Sequence, residues 1–165
     1  MSTTPASSSA YTTTAPRRGV HQWLALIIGV VYLLVGLVGF AITGFDGWTD
    51  HDHSQRLLVF AINPLHNVVH VVIGLLGVLM WRTWNGARAF GWILFIGYGA
   101  AFVYGLIVQD DPETNLLNIN AADNVLHAAS AAAGLIIALW PRPRARTDDT
   151  AAGRSTTGSQ PPPYR

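Results

Sequence analysis

The sequence predicts an all-α integral membrane protein, a four-helix bundle assembled from two repeated helical hairpins. Composition is the first reason: 50% of the 165 residues are hydrophobic and only 12% are charged, against about 25% charged in an ordinary soluble domain. The second is the presence of four apolar segments, each near the length needed to cross a bilayer. The third is a polar string in the second segment, NPLHNVVH, that returns in altered form in the fourth, NAADNVLH.

Residues 1–20 are rich in Ser, Thr, Ala and Pro and cannot bury a core, so they are expected to form a disordered tail. They contain no apolar stretch of the kind a secretory signal needs. The first helix is expected at about 22–43, long enough for a hydrocarbon core of roughly 30 Å at about 1.5 Å per residue. The second is expected at about 64–81, the third at about 89–108 and the fourth at about 121–140. In lipid the backbone must satisfy its own hydrogen bonds, which makes these segments helices. Arg56 to Ile62 reads as a short interfacial helix leading to Asn63. Residues 141–165 form a second expected disordered tail, ending in a proline-rich QPPPYR. The transmembrane domain is thus placed at 21–140.

Arginine sets the orientation. Arg17 and Arg18 precede the first helix, Arg82 and Arg88 separate the second from the third, and Arg142, Arg144 and Arg146 follow the fourth. The other two connections hold only Arg56 but carry Asp46, Asp50, Asp52, Asp110, Asp111 and Glu113. The positive-inside rule puts both termini in the cytoplasm of a multi-pass plasma-membrane protein. Trp23, Trp48, Trp81, Trp84, Trp92 and Trp140 lie near segment ends, as in an aromatic belt. A net charge of +1 gives no footprint for nucleic acid, and the absence of cysteine excludes disulfides and thiolate chemistry.

Superposing the two polar strings sets Asn63 on Asn120, His66 on Asp123, Asn67 on Asn124, His70 on His127 and Gly77 on Gly134. Trp23 and Gly36 can be set on Trp92 and Gly105, at a different offset. Parallel repeats of a hairpin explain the match. Helical periodicity puts Asn63, His66, Asn67, His70, Gly74 and Gly77 on one stripe, and Asn120, Asp123, Asn124, His127 and Gly134 on another. Gly74, Gly77 and Gly134 let helices approach closely. Asn63, followed by Pro64, and Asn120 are helix N-caps. His70 and His127 then lie about 10 Å below the outer ends.

Three readings of the cluster follow. In the first it is structural: Asn67 and Asn124 hydrogen-bond across to His70 or His127 of the other half and fix register. In the second, His66, His70, Asp123 and His127 bind zinc or copper, or His70 and His127 ligate haem, with the asparagines orienting the rings. In the third they relay protons or a small solute, a reading weakened because the inner half of the segments holds no ionisable residue to complete a path. No nucleophile–base pair or phosphate-binding loop is present, and the overall reading is non-enzymatic, without an assigned cofactor. The expected partners are the lipid bilayer and either further copies or a larger membrane complex. Asp50-His51-Asp52-His53 reads as a solvated loop rather than a cation site.

The strings NPLHNVVH and ADNVLH resemble those of a family of small actinobacterial membrane proteins, catalogued as a domain of unknown function with four transmembrane helices. The resemblance covers roughly residues 20–140 and implies an all-helical bacterial membrane protein. It implies no activity.

Overall fold

The computed structural model describes residues 18–142, so of the two tails expected to be disordered residues 1–17 and 143–165 lie outside the described residues. Four helices are present: α1 Val20–Thr43, α2 Pro64–Met80, α3 Trp84–Val108 and α4 Ala121–Ala138. A two-stranded ribbon, β1 Arg56–Leu57 and β2 Phe60–Ala61, lies between α1 and α2. Helices α1, α3 and α4 are long and apolar enough to cross a membrane. Helix α2, with 17 residues, sits at the lower limit of the roughly 17–25 residues a span requires.

Helix α1 starts two residues earlier than expected and α2 ends one earlier; three further differences from the sequence expectation have a visible cause. Helix α3 begins at Trp84 because the Thr83 side chain accepts the N–H of Gly86 and caps it. Arg88, expected in a connection, is therefore helical, and its Nε donates to the carbonyl of Ala138 at the end of α4. Helix α4 ends at Ala138, two residues early, where Pro141 approaches. The third difference concerns the segment 56–62, which is a ribbon and not an interfacial helix. Arg56 pairs with Ala61 and Leu57 with Phe60, and Leu58 turns the chain at φ 60°. The β-branched and aromatic run Val59, Phe60 favours the extended form.

Helix α1 packs along α2, and α3 along α4. Glycine permits both approaches. A Cβ on Gly77 would lie 2.6 Å from Gly29 Cα, and one on Gly134 would lie 2.8 Å from the Gly91 carbonyl oxygen. Gly74 abuts the backbone of Leu33 in the same way. The two hairpins then meet on Ala25, Tyr32, Phe90, Leu94, Tyr98 and Ala131. Outward, large apolar side chains stand exposed, among them Ile107 at 76%, Val125 at 72% and Leu79 at 71%. An all-round apolar helix surface is the mark of a membrane span.

The connections 44–63 and 109–120 gather at one end of the bundle, here the loop end. Arg18, Arg82, Arg88 and Arg142 occupy the other, the arginine end. Gln22 on α1 donates to the carbonyls of Trp81 (3.1 Å) and Arg82 (3.0 Å), as Arg88 on α3 does to Ala138 (2.7 Å). The first helix of each hairpin thus caps the carboxyl end of the second.

Close packing at glycine makes a direct prediction. Gly74→Val should destabilise the bundle by about 1–3 kcal/mol through overpacking, measured by reversible unfolding in bicelles. Gly97→Ala, whose Cβ meets nothing within 4 Å, should be neutral.

Candidate functional site

The polar residues of the two stripes converge at the loop end. Asn63 caps α2, its Oδ1 accepting the N–H of His66 at 2.9 Å. Its Nδ2 donates to Asp50 O of its own hairpin and to Leu116 O of the other. His66 Nδ1 likewise donates to Leu117 O at 2.9 Å. From the second hairpin the bonds run back. Asn120 caps α4 and donates to Val59 O. Asp123 Oδ2 accepts the N–H of Asn120 at 2.9 Å and that of Ala61 in the ribbon at 3.2 Å. Asn118 Nδ2 donates to Asp52 O and Ile62 O, both at 2.9 Å. Each hairpin therefore terminates the other's backbone.

Asn115 and Asn118 carry no expectation from the sequence pattern, yet both are fully buried. Asn115 closes its own loop, accepting from Ile119 N and donating to Ile119 O, each at 2.8 Å. Asn118 sits at φ 55°, a left-handed conformation asparagine tolerates. The signal was the run Asn115-Leu-Leu-Asn118-Ile-Asn120, in which asparagines interrupt an apolar stretch.

The asparagines one turn further in do not behave as expected. Asn67 and Asn124 do not reach the opposing histidines. Asn67 Nδ2 donates to Thr43 Oγ1 and Asn124 Nδ2 to Gln109 Oε1, both at 2.9 Å and both within one hairpin. Their Oδ1 atoms are buried without a partner and rest where Gly39 and Gly105 lack a Cβ. The α1–α2 and α3–α4 packing brings each amide to the end of its neighbouring helix before it can cross the axis.

Histidines do meet across the axis. His66 and His70 stack at 4.7 Å between ring centroids, and His127 lies 6.0 Å from His66. Tyr98 is 5.3 Å from His127, and Tyr32 is 5.3 Å from His70. Tyr32 and Tyr98 pack at 5.1 Å. Ser130 Oγ donates to Leu126 O at 2.7 Å, so it accepts from the Tyr32 hydroxyl and ties α4 to α1.

This arrangement does not gather His66, His70, Asp123 and His127 as metal ligands. Among the described residues no group of three or more histidine or carboxylate side chains is placed to hold a metal ion. Asp123 is engaged by two backbone amides, and His66 and His70 each turn Nδ1 to a carbonyl. The cavities beside the rings, about 80 and 160 Å³, fall short of the roughly 300–1,000 Å³ of pockets for drug-sized ligands, and a porphyrin needs more. Among the described residues no continuous polar path for proton transfer is present either. Below the cluster the axis is filled by Ala25, Phe90, Leu94 and Ala131. The next polar side chain, His21, is sealed at the arginine end with its ring 3.9 Å from Trp84.

The outer loop is ordered by local turns. Asp52 Oδ1 accepts from Ser54 N at 2.8 Å, which lowers its pKa, and Thr114 and Glu113 act likewise on Asp111. His51 and His53 stack at 4.3 Å. Burial holds the pKa of His53 below its ordinary 6.5, helped by the nearby charges of His51 and Arg56.

The fold and the cluster together define a class: a helical bundle with apolar, membrane-compatible flanks and a hydrogen-bonded polar end. The chain belongs to the family described as "Domain of unknown function (DUF4383)", whose family model matches residues 22–140. No curated protein and no solved structure matches it.

Two measurements check this geometry. Asn118→Ala removes two cross-hairpin bonds and a left-handed asparagine, and should cost about 2–4 kcal/mol in unfolding experiments. The pH response follows from His53. The folded loop keeps the ring neutral, while the unfolded loop binds a proton below about 6.5. Its contribution is complete above that pH and is lost as pH falls through the lowered folded value. Amide protection factors at the loop end, with the intrinsic pH dependence of exchange divided out, should therefore fall as the pH drops below about 6.5, and His53→Gln should flatten that response.

Proposed function

We propose that this chain is a structural or accessory membrane protein, built from a duplicated hairpin and acting within a homo-oligomer or a larger membrane complex. The observation that carries this reading is the reciprocal termination of the two hairpins by Asn63, His66, Asn118, Asn120 and Asp123. It leaves the polar side chains serving the fold, with their bonds directed at backbone rather than at a reacting centre.

Matched roles in the two halves support duplication. Asn63 and Asn120 cap. Gly39 and Gly105 make room for Asn67 and Asn124. Thr43 and Gln109 accept from those same asparagines. Tyr32 pairs with Tyr98 about the axis, and Gln22 matches Arg88. These pairs share one offset between α1 and α3. It differs from the offset that sets Trp23 on Trp92, because packing roles and not tryptophan positions define the equivalence. Where His66 of one half meets Asp123 of the other, the chemistry diverges: the first donates to a loop carbonyl and the second accepts a loop amide.

The arginine end lies in the cytoplasm and the acidic loop end outside, by the positive-inside rule. The membrane is a bacterial plasma membrane, in keeping with the resemblance of the polar strings. The exposed apolar flanks suit lipid and partner helices alike.

Purification in mild detergent without a histidine tag, followed by an absorption spectrum and elemental analysis, tests this reading. The protein should be colourless and hold metal far below one ion per chain, and His66→Gln should remain folded. A Soret band, or near-stoichiometric zinc, copper or iron that disappears in His70→Ala/His127→Ala, would overturn it.

A further inference from the structure

Beside the histidine pair, a cavity of about 160 Å³ lies between α1, α4 and the β1–β2 ribbon. Its walls are apolar: Val31, Val35, Leu57, Phe60 and Leu126. His66, His70, Asp123 and Tyr32 supply the polar part of its lining. The Nδ1 atoms of His66 and His70 face the carbonyls of Leu117 and His66. A carbonyl can only accept, so both rings carry the proton on Nδ1, and in the neutral ring Nε2 is left as a lone pair. His70 is 3% exposed, and its Nε2 is buried without a partner. Tyr32, the nearest hydroxyl on the wall, is committed to Ser130.

Size and polarity together specify an occupant. An apolar cavity of about 150 Å³ takes one benzene ring. Water is poorly suited, because an ordered water needs two to four polar partners, and here Asp123 Oδ2 is held by two amides, both histidine Nδ1 atoms by carbonyls and Tyr32 by Ser130, with hydrocarbon around them. Of its lining, Val31 on the α1 flank and Leu58 in the ribbon are 48% and 84% exposed, so the cavity lies against the lateral surface of the bundle near the loop end.

We propose that this cavity binds a single hydroxylated aromatic ring, a phenol-type head dissolved in the bilayer, whose hydroxyl donates to the imidazole Nε2 of His70. The site is distinct from the structural role of the cluster, since it uses the ring atom that role leaves unpaired. Binding needs no oxidant, metal or bond change.

Fluorine NMR of the full chain in phosphatidylglycerol nanodiscs tests this, with empty nanodiscs as the partition control. The probes are 4-fluorophenol and 4-fluoroanisole, which differ in whether the oxygen can donate. The phenol should bind saturably and about 10-fold tighter than the ether, the effect of one buried hydrogen bond. Val35→Phe, which fills the cavity, should abolish both, and His70→Leu should erase the difference between them. Equal affinity of the two probes, or undiminished phenol binding in a folded Val35→Phe protein, would overturn the proposal, whether or not His70→Leu folds. A prenyl tail on the phenol separates the sources. Tighter binding after partition correction assigns a membrane lipid and unchanged binding a free phenol, and both support the ring site.

Discussion

Every backbone group that leaves a helix where lipid or packed protein excludes water must find a partner within the protein. At the loop end of this bundle the partners are exchanged. The second hairpin offers carbonyls to Asn63 and His66, and the first offers carbonyls and an amide to Asn118, Asn120 and Asp123. Neither loop is complete alone. The exchange explains why so apolar a chain keeps asparagine and histidine at these positions. It also explains why Asn118 is buried in a connection rather than placed on a helix.

The rest of the architecture follows from that join. With the loop ends tied, α1 and α3 can meet at Tyr32 and Tyr98 only if each hairpin is itself tight, which Gly29 against Gly77 and Gly91 against Gly134 allow. The arginine end is closed by a second set of side-chain caps, Gln22 and Arg88, with His21 held against Trp84 and Trp140. Between the two ends lies an apolar layer centred on Phe90 and Leu94. The histidines occupy the boundary between the tied end and this layer. There the Nδ1 atoms of His66 and His70 serve the fold while the Nε2 of His70 is left without a partner.

Much of this is legible in the sequence, for reasons that differ by residue. Four helices follow from apolar length, and the caps Asn63 and Asn120 from local backbone chemistry that tertiary context does not change. Clustering of His66, His70 and His127 follows from helical period. What the chain hides is partner choice. Asn67 and Asn124 point along the right stripe but bond to Thr43 and Gln109, because a nearer helix end intercepts them. Asp123 reads as a ligand by type and is occupied by amides that only the folded ribbon brings to it. The ribbon itself, and the start of α3 at Trp84, depend on a turn at Leu58 and a cap at Thr83 that hydropathy does not register.

The measurement that bears most directly on reciprocal termination is a double-mutant cycle between Asn63→Ala and Asn118→Ala, read by reversible unfolding in bicelles. The two side chains bond different carbonyls and share no hydrogen bond. If the loops hold one another, removing one releases the other, and the double variant should cost less than the sum of the singles by about 1 kcal/mol or more. Additivity within about 0.5 kcal/mol would mean that the two loops are tied down independently, and would contradict the join on which this structure rests.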